Sequence, residues 1–281
     1  MEMNAKKFMP LLALASITLA GCVCAPTEES RPERKIAVQT YSYRLFTLED
    51  ALKNAKSAGV DFVEIYPNQK ISSSMPNAKF GKDLTAQERE AVKKMLAQNG
   101  LSVVSMGVVG GNPKEDFIKQ TCEFAKDMGI KRILIECPVS AFPLWKKYAQ
   151  ANGITICIHH HSTFSPNLFA DPDVLKALAD EYGFKVCADI GHWEASGIDP
   201  VQALKKLKGN IGELHIKDKR VPDGNKKSVC VPFGEGTVDL KGVLKELDAQ
   251  KFDGFFVIEY EAEWENNTPS IKKSAEFLRK N

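Results

Sequence analysis

The stretch ANGITICIHHH, residues 151–161, contains the two features that decide the fold of this chain. A helical pattern ends at Gly153, and a run of apolar and β-branched residues follows directly. Glycine in that place suits the left-handed residue that closes a helix and turns the chain into a strand. The same order of helical segment, glycine and apolar run recurs along the chain, so one supersecondary unit is repeated.

Counting outward from this stretch gives eight apolar runs with strand character. They span residues 35–42, 60–67, 101–109, 131–138, 154–161, 184–192, 211–218 and 254–261. The segments between them read as amphipathic helices; in the first, Thr47 is a candidate N-cap before an apolar face. Strands that alternate with helices predict right-handed βαβ units and a parallel sheet.

Eight such units over roughly 250 residues predict one α/β domain, a closed (β/α)₈ TIM barrel over residues 35–281. The alternative is an open, doubly wound sheet. The segment TYSYRLF after the first strand contains no glycine and therefore lacks a phosphate-binding fingerprint, which disfavours a dinucleotide-binding fold.

The N-terminus precedes the fold. Residues 1–21 carry Lys6 and Lys7 before an apolar stretch that is short for a membrane span, as in a secretory signal peptide. LAGC, residues 19–22, resembles a lipobox, which predicts lipidation of Cys22 and a polar tether over 22–34. We expect an exported protein, anchored by this lipid alone in the periplasm or outer membrane of a bacterium; a plain signal peptide is the alternative.

Composition excludes some partners and a disulfide framework. The chain has 38 basic and 36 acidic residues and a net charge of +2, without the basic stripe that nucleic-acid binding needs. Three of its seven cysteines, Cys137, Cys157 and Cys187, lie in or beside apolar runs and are predicted core residues. The sequence assigns no role to Cys24, Cys122 or Cys230.

All five histidines fall at the predicted carboxyl ends of strands. His159, His160 and His161 end the fifth strand, His192 ends the sixth and His215 lies in the seventh. Barrel enzymes carry their chemistry at this end. Histidines used only for packing would have no reason to avoid every other position, so this pattern indicates an active face.

Side chains alternate along a strand, so His159 and His161 share a face and His160 points away. The same reasoning directs His159, Asp189, His215 and Glu259 from four strands toward one point. Two imidazoles and two carboxylates favour Mn²⁺ or Zn²⁺, with Co²⁺ or Fe²⁺ as alternatives, over Ca²⁺. A hydrogen-bonded His–Asp cluster and salt bridges at the rim are the non-metal alternatives. Glu213 shares the inward face of His215, and the sequence names no partner for it.

Five segments together resemble the xylose isomerase-like barrel superfamily, the sugar phosphate isomerase/epimerases, over about residues 35–280. These segments are VQTYSYRLFTLEDALKNAKSAGVDFVEIYP (38–67), DIGH (189–192), HIKD (215–218), FGEGTVD (233–239) and IEY (258–260). The resemblance implies a divalent metal held by Glu, Asp, His and Glu, of which the last three match Asp189, His215 and Glu259. The first position departs from the pattern, because it is His159.

That departure removes one of two glutamates which, in the resembling epimerases, exchange a proton on either side of the substrate. Glu136, at the end of the fourth strand, is a candidate replacement, or else a rim carboxylate. The candidates for proton transfer and substrate positioning are Glu259, Glu136, His161, His192 and Lys217. Lys217 would hold a developing oxyanion, or else be a solvated rim lysine.

The resemblance predicts a metal-dependent sugar isomerase/epimerase that abstracts a proton next to the carbonyl of a keto-sugar or glycoside. The runner-up is a keto-sugar lyase or dehydratase that eliminates a β-substituent. Export favours a free sugar over a sugar phosphate. A trinuclear endonuclease IV-like site is disfavoured, because KSVCVP before FGEG lacks an Asp–x–His motif.

A different class is a sugar-binding lipoprotein without catalysis. Its cleft would be shaped by residues 68–83, 219–236 and 261–269, and Trp193 and Trp264 would stack on sugar rings, or else pack at the rim. Such a protein would keep its ligand after metal removal, whereas an enzyme would lose turnover.

Overall fold

The computed structural model describes residues 33–111, 113–162, 169–220 and 228–281. The predicted signal peptide, 1–21, and the tether up to residue 32 lie outside the described residues. In the described ranges, no helix combines the length and the apolar character that a bilayer span requires.

Twelve strands and nine α-helices make up the described chain. The strands are β1 Lys35–Gln39, β2 Phe62–Ile65, β3 Lys70–Ser72, β4 Met75–Lys79, β5 Ser102–Gly110, β6 Arg132–Glu136, β7 Thr155–Ile158, β8 Lys185–Asp189, β9 Ile211–Ile216, β10 Asp218–Arg220, β11 Val229–Val231 and β12 Phe255–Ile258. The helices are α1 Leu48–Ser57, α2 Ala86–Gln98, α3 Glu115–Asp127, α4 Phe142–Asn152, α5 Pro172–Tyr182, α6 Ile190–Ala195, α7 Pro200–Lys206, α8 Leu240–Ala249 and α9 Thr268–Lys280.

Eight of the strands close into a barrel in the order β1–β12–β9–β8–β7–β6–β5–β2. Every neighbouring pair is parallel. The prediction of a closed (β/α)₈ barrel is therefore confirmed. Register places Asp189 on β8 directly beside His215 on β9, which brings two candidate site residues together.

Local sequence explains where the helices begin and end. Thr47 accepts a hydrogen bond from the backbone of Asp50, as the capping prediction requires. Gly153 ends α4 with φ of 67°, and Gly183 ends α5 with φ of 71°, both left-handed. Gly254, which also precedes a strand, departs from the predicted pattern: it has no left-handed φ, and a Cβ at this position would lie 2.3 Å from the Phe252 ring.

Two segments that the sequence analysis treated as irregular cleft loops contain small hairpins. Within 68–83, β3 and β4 pair antiparallel, and β10 pairs antiparallel with β11. The intervening residues 221–227 lie outside the described chain. Both hairpins follow strands of the barrel at its carboxyl end, where the histidines cluster.

Two small apolar clusters fill part of the barrel interior. One small cluster joins Ala37, Val104 and Val257, and another joins Leu134 with Cys157 and Cys187. Five cysteines in the described chain are free and buried, so the core prediction for three of them is confirmed; they are Cys122, Cys137, Cys157, Cys187 and Cys230. Glu213 lies in register with Cys187, so polar and apolar side chains share the interior.

Candidate metal centre and active site

Four side chains from four strands meet at the carboxyl end of the barrel. His159 follows β7, Asp189 ends β8, His215 lies on β9 and Glu259 follows β12. One ligand-type atom from each lies within 4.8 Å of all the others. All four residues are more than nine-tenths buried. The structure thus brings together the four residues that strand alternation selected.

The chemistry of these atoms fits a divalent cation. His215 Nδ1 is 2.9 Å from Glu259 Oε2 and 3.8 Å from Asp189 Oδ2, and His159 Nε2 is 3.6 Å from the same Oδ2. In the described structure, His159 Nε2, His215 Nδ1 and Glu259 Oε2 make no hydrogen bond of normal geometry, although Lys217 Nζ lies 2.7 Å from Glu259 Oε2. Buried polar atoms normally make such a hydrogen bond. Mixed nitrogen and oxygen donors favour Mn²⁺, Zn²⁺, Co²⁺ or Fe²⁺ over Ca²⁺.

Each of the two histidines is contacted from behind by a carboxylate. His159 Nδ1 lies 3.2 Å from Glu136 Oε2. His215 Nε2 lies 3.1 Å and 3.2 Å from the two oxygens of Glu64. A carboxylate in this place fixes the orientation of an imidazole ring and selects its tautomer.

Glu64 belongs to a buried network that sequence reasoning missed. Gln39 donates to Glu64 Oε1 at 2.9 Å, and the Ser105 hydroxyl lies 3.0 Å from Glu64 Oε2 and 2.6 Å from Glu213 Oε1. Ser105 is therefore the partner that Glu213 lacked. Burial, with the nearby charge of Glu64, raises the pKa of Glu213 to about 8. The available signal was a glutamate in the middle of the apolar run VDFVEIYP.

Lys217 is part of the centre rather than a rim lysine. Its Nζ lies 2.6 Å from Asp189 Oδ2, 2.7 Å from Glu259 Oε2 and 3.2 Å from Glu261 Oε1. Burial opposes its charge, but these carboxylates hold the pKa of Lys217 well above its usual range. Gly191 makes room for it, because a Cβ there would lie 2.6 Å from Lys217 Cβ. The solvated-lysine alternative is therefore wrong.

His161 and His192 lie side by side above the cluster, with ring centroids 4.7 Å apart. His161 Nδ1 makes a short contact with Glu136 Oε2, and its side chain is 43% exposed. His192 does not end a strand as predicted. It lies in α6, because Asp189 Oδ1 accepts from the backbone of His192 and caps that helix directly after β8.

The two imidazoles differ in their surroundings. Burial lowers the pKa of His192 to about 2, so its ring is neutral at physiological pH. Its Nε2 lies 3.3 Å from Lys217 Nζ. Burial alone would raise the pKa of Glu136, but hydrogen bonds from His159 and His161 lower it to about 2. Glu136 is thus an ionised carboxylate shared by two histidines.

The sugar-stacking prediction for Trp193 is wrong. Trp193 is fully buried in α6, donates from Nε1 to the carbonyl of Ala170, and stacks on His160 at 4.6 Å. His160 points away from the centre, as alternation predicted, and its Nε2 accepts from the backbone N–H of Asp189. Trp264 is half-buried under the guanidinium of Arg44, 3.6 Å from the ring centroid, and its role toward a sugar stays a prediction.

The fold and this centre agree with what the chain resembles among known proteins. Residues 52–281 match the family described as "Xylose isomerase-like TIM barrel". That match covers most of the chain, so the protein belongs to the xylose isomerase-like TIM barrel family.

Sequence relatives include two inosose dehydratases. The Klebsiella pneumoniae protein is 33% identical over 131 residues, which are 41% of this chain and 44% of that protein. The Geobacillus thermodenitrificans protein is 29% identical over 240 residues, covering 69% of this chain and 79% of that protein. With the Klebsiella protein, the chain thus shares less than half of the relative's length.

Among solved structures, the 3-keto-D-glucoside 4-epimerase from E. coli has a TM-score of 0.65 at 17% identity. The match covers 89% of this chain and 100% of that one. At this level of identity the likeness concerns the fold.

Proposed function

We propose that this protein is a divalent-metal-dependent enzyme that removes a proton from the carbon next to the carbonyl of a keto-sugar or keto-polyol. His159, Asp189, His215 and Glu259 would hold the ion. When bound, the ion would polarise the substrate carbonyl and a neighbouring hydroxyl and stabilise the negative charge that proton removal creates. The observation that carries the proposal is the convergence of one ligand-type nitrogen or oxygen atom from each of these four buried residues, all within 4.8 Å of one another.

His161 is the candidate base. Glu136 contacts its Nδ1, which leaves Nε2 free to take a proton from a bound substrate. A carboxylate behind an imidazole orients the ring and stabilises the imidazolium that forms, as in acid–base dyads. Its exposure places it at the mouth of the barrel, where a substrate would arrive. His192, neutral and adjacent, is a candidate for positioning a substrate hydroxyl.

Lys217 would stabilise negative charge that develops on the substrate. It stays protonated because carboxylates surround it, so it acts as a fixed cation rather than as a base or nucleophile. Its side chain is 1% exposed, which excludes water from the ammonium and strengthens its field.

Elimination of water is the outcome that the site favours. Epimerisation at one carbon needs proton exchange on both faces of the substrate. Glu136 was the carboxylate that would have restored a two-sided pair, but it is 7% exposed and bound to two histidines. With a base on one side, removal of the α-proton and departure of a β-hydroxyl as water yields an unsaturated ketone. The names of the sequence relatives, which are inosose dehydratases, also support elimination ahead of epimerisation.

Isomerisation or epimerisation is the second candidate, and the E. coli 3-keto-D-glucoside 4-epimerase supports it through fold alone. In either case we propose an exported enzyme held by a lipid on Cys22, with a free sugar rather than a sugar phosphate as its substrate. No described residue bears on this location, which rests on residues 1–32 of the sequence.

The test is turnover of an inosose and a 3-keto-glucoside in D₂O by metal-loaded and EDTA-treated enzyme. Loss of one water by mass spectrometry would support the dehydratase. Incorporation of deuterium into the sugar without loss of water would support the epimerase. His161→Gln should abolish either reaction while binding metal normally. A protein that binds both sugars equally well with and without metal, and turns over neither, would be a binding protein.

A further inference from the structure

The two histidines of the centre offer different nitrogens to it. His159 presents Nε2, which lies 3.6 Å from Asp189 Oδ2, and His215 presents Nδ1, which lies 2.9 Å from Glu259 Oε2. The opposite nitrogens face Glu136 and Glu64, respectively. An imidazole can present either nitrogen, so the contacts of each ring must determine which nitrogen faces the centre.

An ionised carboxylate can only accept a hydrogen bond. When a cation occupies the centre, the nitrogen that faces Glu136 or Glu64 therefore carries the proton, and the lone pair remains on the nitrogen that faces the cation. Glu136 reaches His159 from the adjacent strand β6. Glu64 reaches His215 from β2, on the other side of the barrel. The opposite choice of nitrogen follows from these two directions of approach.

Glu64 has no access to a substrate. It is 0% exposed, and its oxygens are engaged by Gln39, Ser105 and His215. A carboxylate held at this depth by three partners has one remaining use toward the centre, which is to act through the imidazole that it contacts.

We infer that Glu64 and Glu136 are positioning residues, each fixing the ring and tautomer of one histidine so that Nδ1 of His215 and Nε2 of His159 face a common cation. The inference rests on the proposed function for the presence of the ion. The hold on each ring, however, is a property of the protein itself and can be measured without metal.

The first experiment measures the Kd of Mn²⁺ for the full chain and three variants by isothermal titration calorimetry. Glu64→Gln and Glu136→Gln should each weaken binding by about 10–100-fold, the usual cost of losing such a carboxylate. Glu213→Gln is the matched control, because Glu213 is equally buried and lies 2.6 Å from the same Ser105 hydroxyl, but no described hydrogen bond joins it to a histidine. Its affinity should stay close to that of the wild type.

Equal weakening in Glu64→Gln and Glu213→Gln would overturn the inference, because the effect would then belong to the interior network as a whole. Wild-type affinity in Glu64→Gln or Glu136→Gln would also overturn it. If Glu136→Gln abolished binding while His159→Gln preserved it, Glu136 would be a ligand rather than a positioning residue.

The second experiment needs no metal. In ¹⁵N-labelled apo protein, His215 Hε2 and His159 Hδ1 should appear as downfield, slowly exchanging protons, because each is buried and bonded to a carboxylate. Glu64→Gln should move only the His215 signal, Glu136→Gln only the signals of its histidine partners, and Glu213→Gln neither. If wild-type protein bound no metal, the metal part of the proposed function would fail, and these signals alone would decide the positioning roles. Signals unchanged in both variants would refute them.

Discussion

At the scale of single residues, Lys217 is the lysine that contacts the carboxylates of the centre. Its ammonium is the nearest cation to Asp189 and Glu259, two of the four candidate ligands. Removing it leaves two buried carboxylates facing each other, a change that typically costs about 3–5 kcal/mol. A bound divalent ion would neutralise the same two oxygens.

Lys217→Met should therefore destabilise the metal-free protein by about 3–5 kcal/mol, and saturating Mn²⁺ should raise its Tm more than it raises that of the wild type. Calorimetric melts in EDTA and in Mn²⁺ measure both quantities. Lys206→Met is the control, because it removes an exposed ion pair with Asp173 and should change neither. Equal Mn²⁺-dependent shifts in the wild type and Lys217→Met would contradict the prediction.

Gly191 is the residue that lets Lys217 into the centre. A methyl group at this position would overlap Lys217 Cβ, and overpacking of this kind costs about 1–3 kcal/mol. We expect Gly191→Ala to unfold at a lower urea concentration and to bind Mn²⁺ with altered affinity. Gly110→Ala should be tolerated, since its nearest neighbour would lie at an ordinary 3.6 Å. Equal stability of the two variants would show that Lys217 moves aside freely.

At the scale of elements, side-chain caps fix where several helices begin. Thr47 caps α1 with its hydroxyl, and α1 buries Leu48, Ala51, Leu52 and Ala55 against the barrel. Thr47→Ala should lower the free energy of unfolding by about 1 kcal/mol, and Thr47→Ser, which keeps the hydroxyl, should restore most of the loss. Urea denaturation of the three proteins checks this. A full loss in Thr47→Ser would mean that the methyl group, not the cap, is responsible.

Element patterns explain what could be predicted from the sequence. Period-two alternation was sufficient to choose His159 over His160 and to align Asp189, His215 and Glu259, because facing depends only on the strand itself. The roles of Glu64 and Ser105 could not be inferred, because their partners lie on other strands. The relative register of two strands cannot be derived from the sequence of either strand alone. Trp193 was misjudged for a related reason: the start of α6 turned it away from the rim.

At the scale of the whole molecule, the cysteine thiols of the described chain are buried from solvent. Burial raises the pKa of Cys122 and of Cys187 to about 12, above the ordinary value of 9.0. Five cysteines in the described chain should therefore resist alkylation at pH 8 in native protein and react after unfolding in urea. Peptide mass spectrometry separates them from Cys22 and Cys24. Labelling of Cys187 in native protein would show that the barrel interior opens to solvent.

The same shifts give a direction to alkaline stability. A thiol whose folded pKa is raised favours the folded state while it stays protonated. That stability is fully present below pH 9.0, the ordinary cysteine value, and is lost as pH rises toward about 12. The free energy of unfolding should fall over this interval, and Cys122→Ala should reduce the slope. A slope that is the same in both proteins would remove the thiols as its cause.

The hydroxyl of Ser105 on β5 spans the lumen to Glu213 on β9, and through Glu64 it also reaches β2 and, by Gln39, β1. For protein engineering, this hydrogen-bonded network means that the half of the barrel before α4 and the half after it cannot be exchanged independently. A chimera would take the residues on one side of α4 from this barrel and those on the other side from another barrel. It would keep the strand pairs within each half, but the network residues of the two halves would not have evolved to contact each other. Libraries that diversify the loops while retaining these four residues as one unit should preserve folding far more often than libraries that recombine through them.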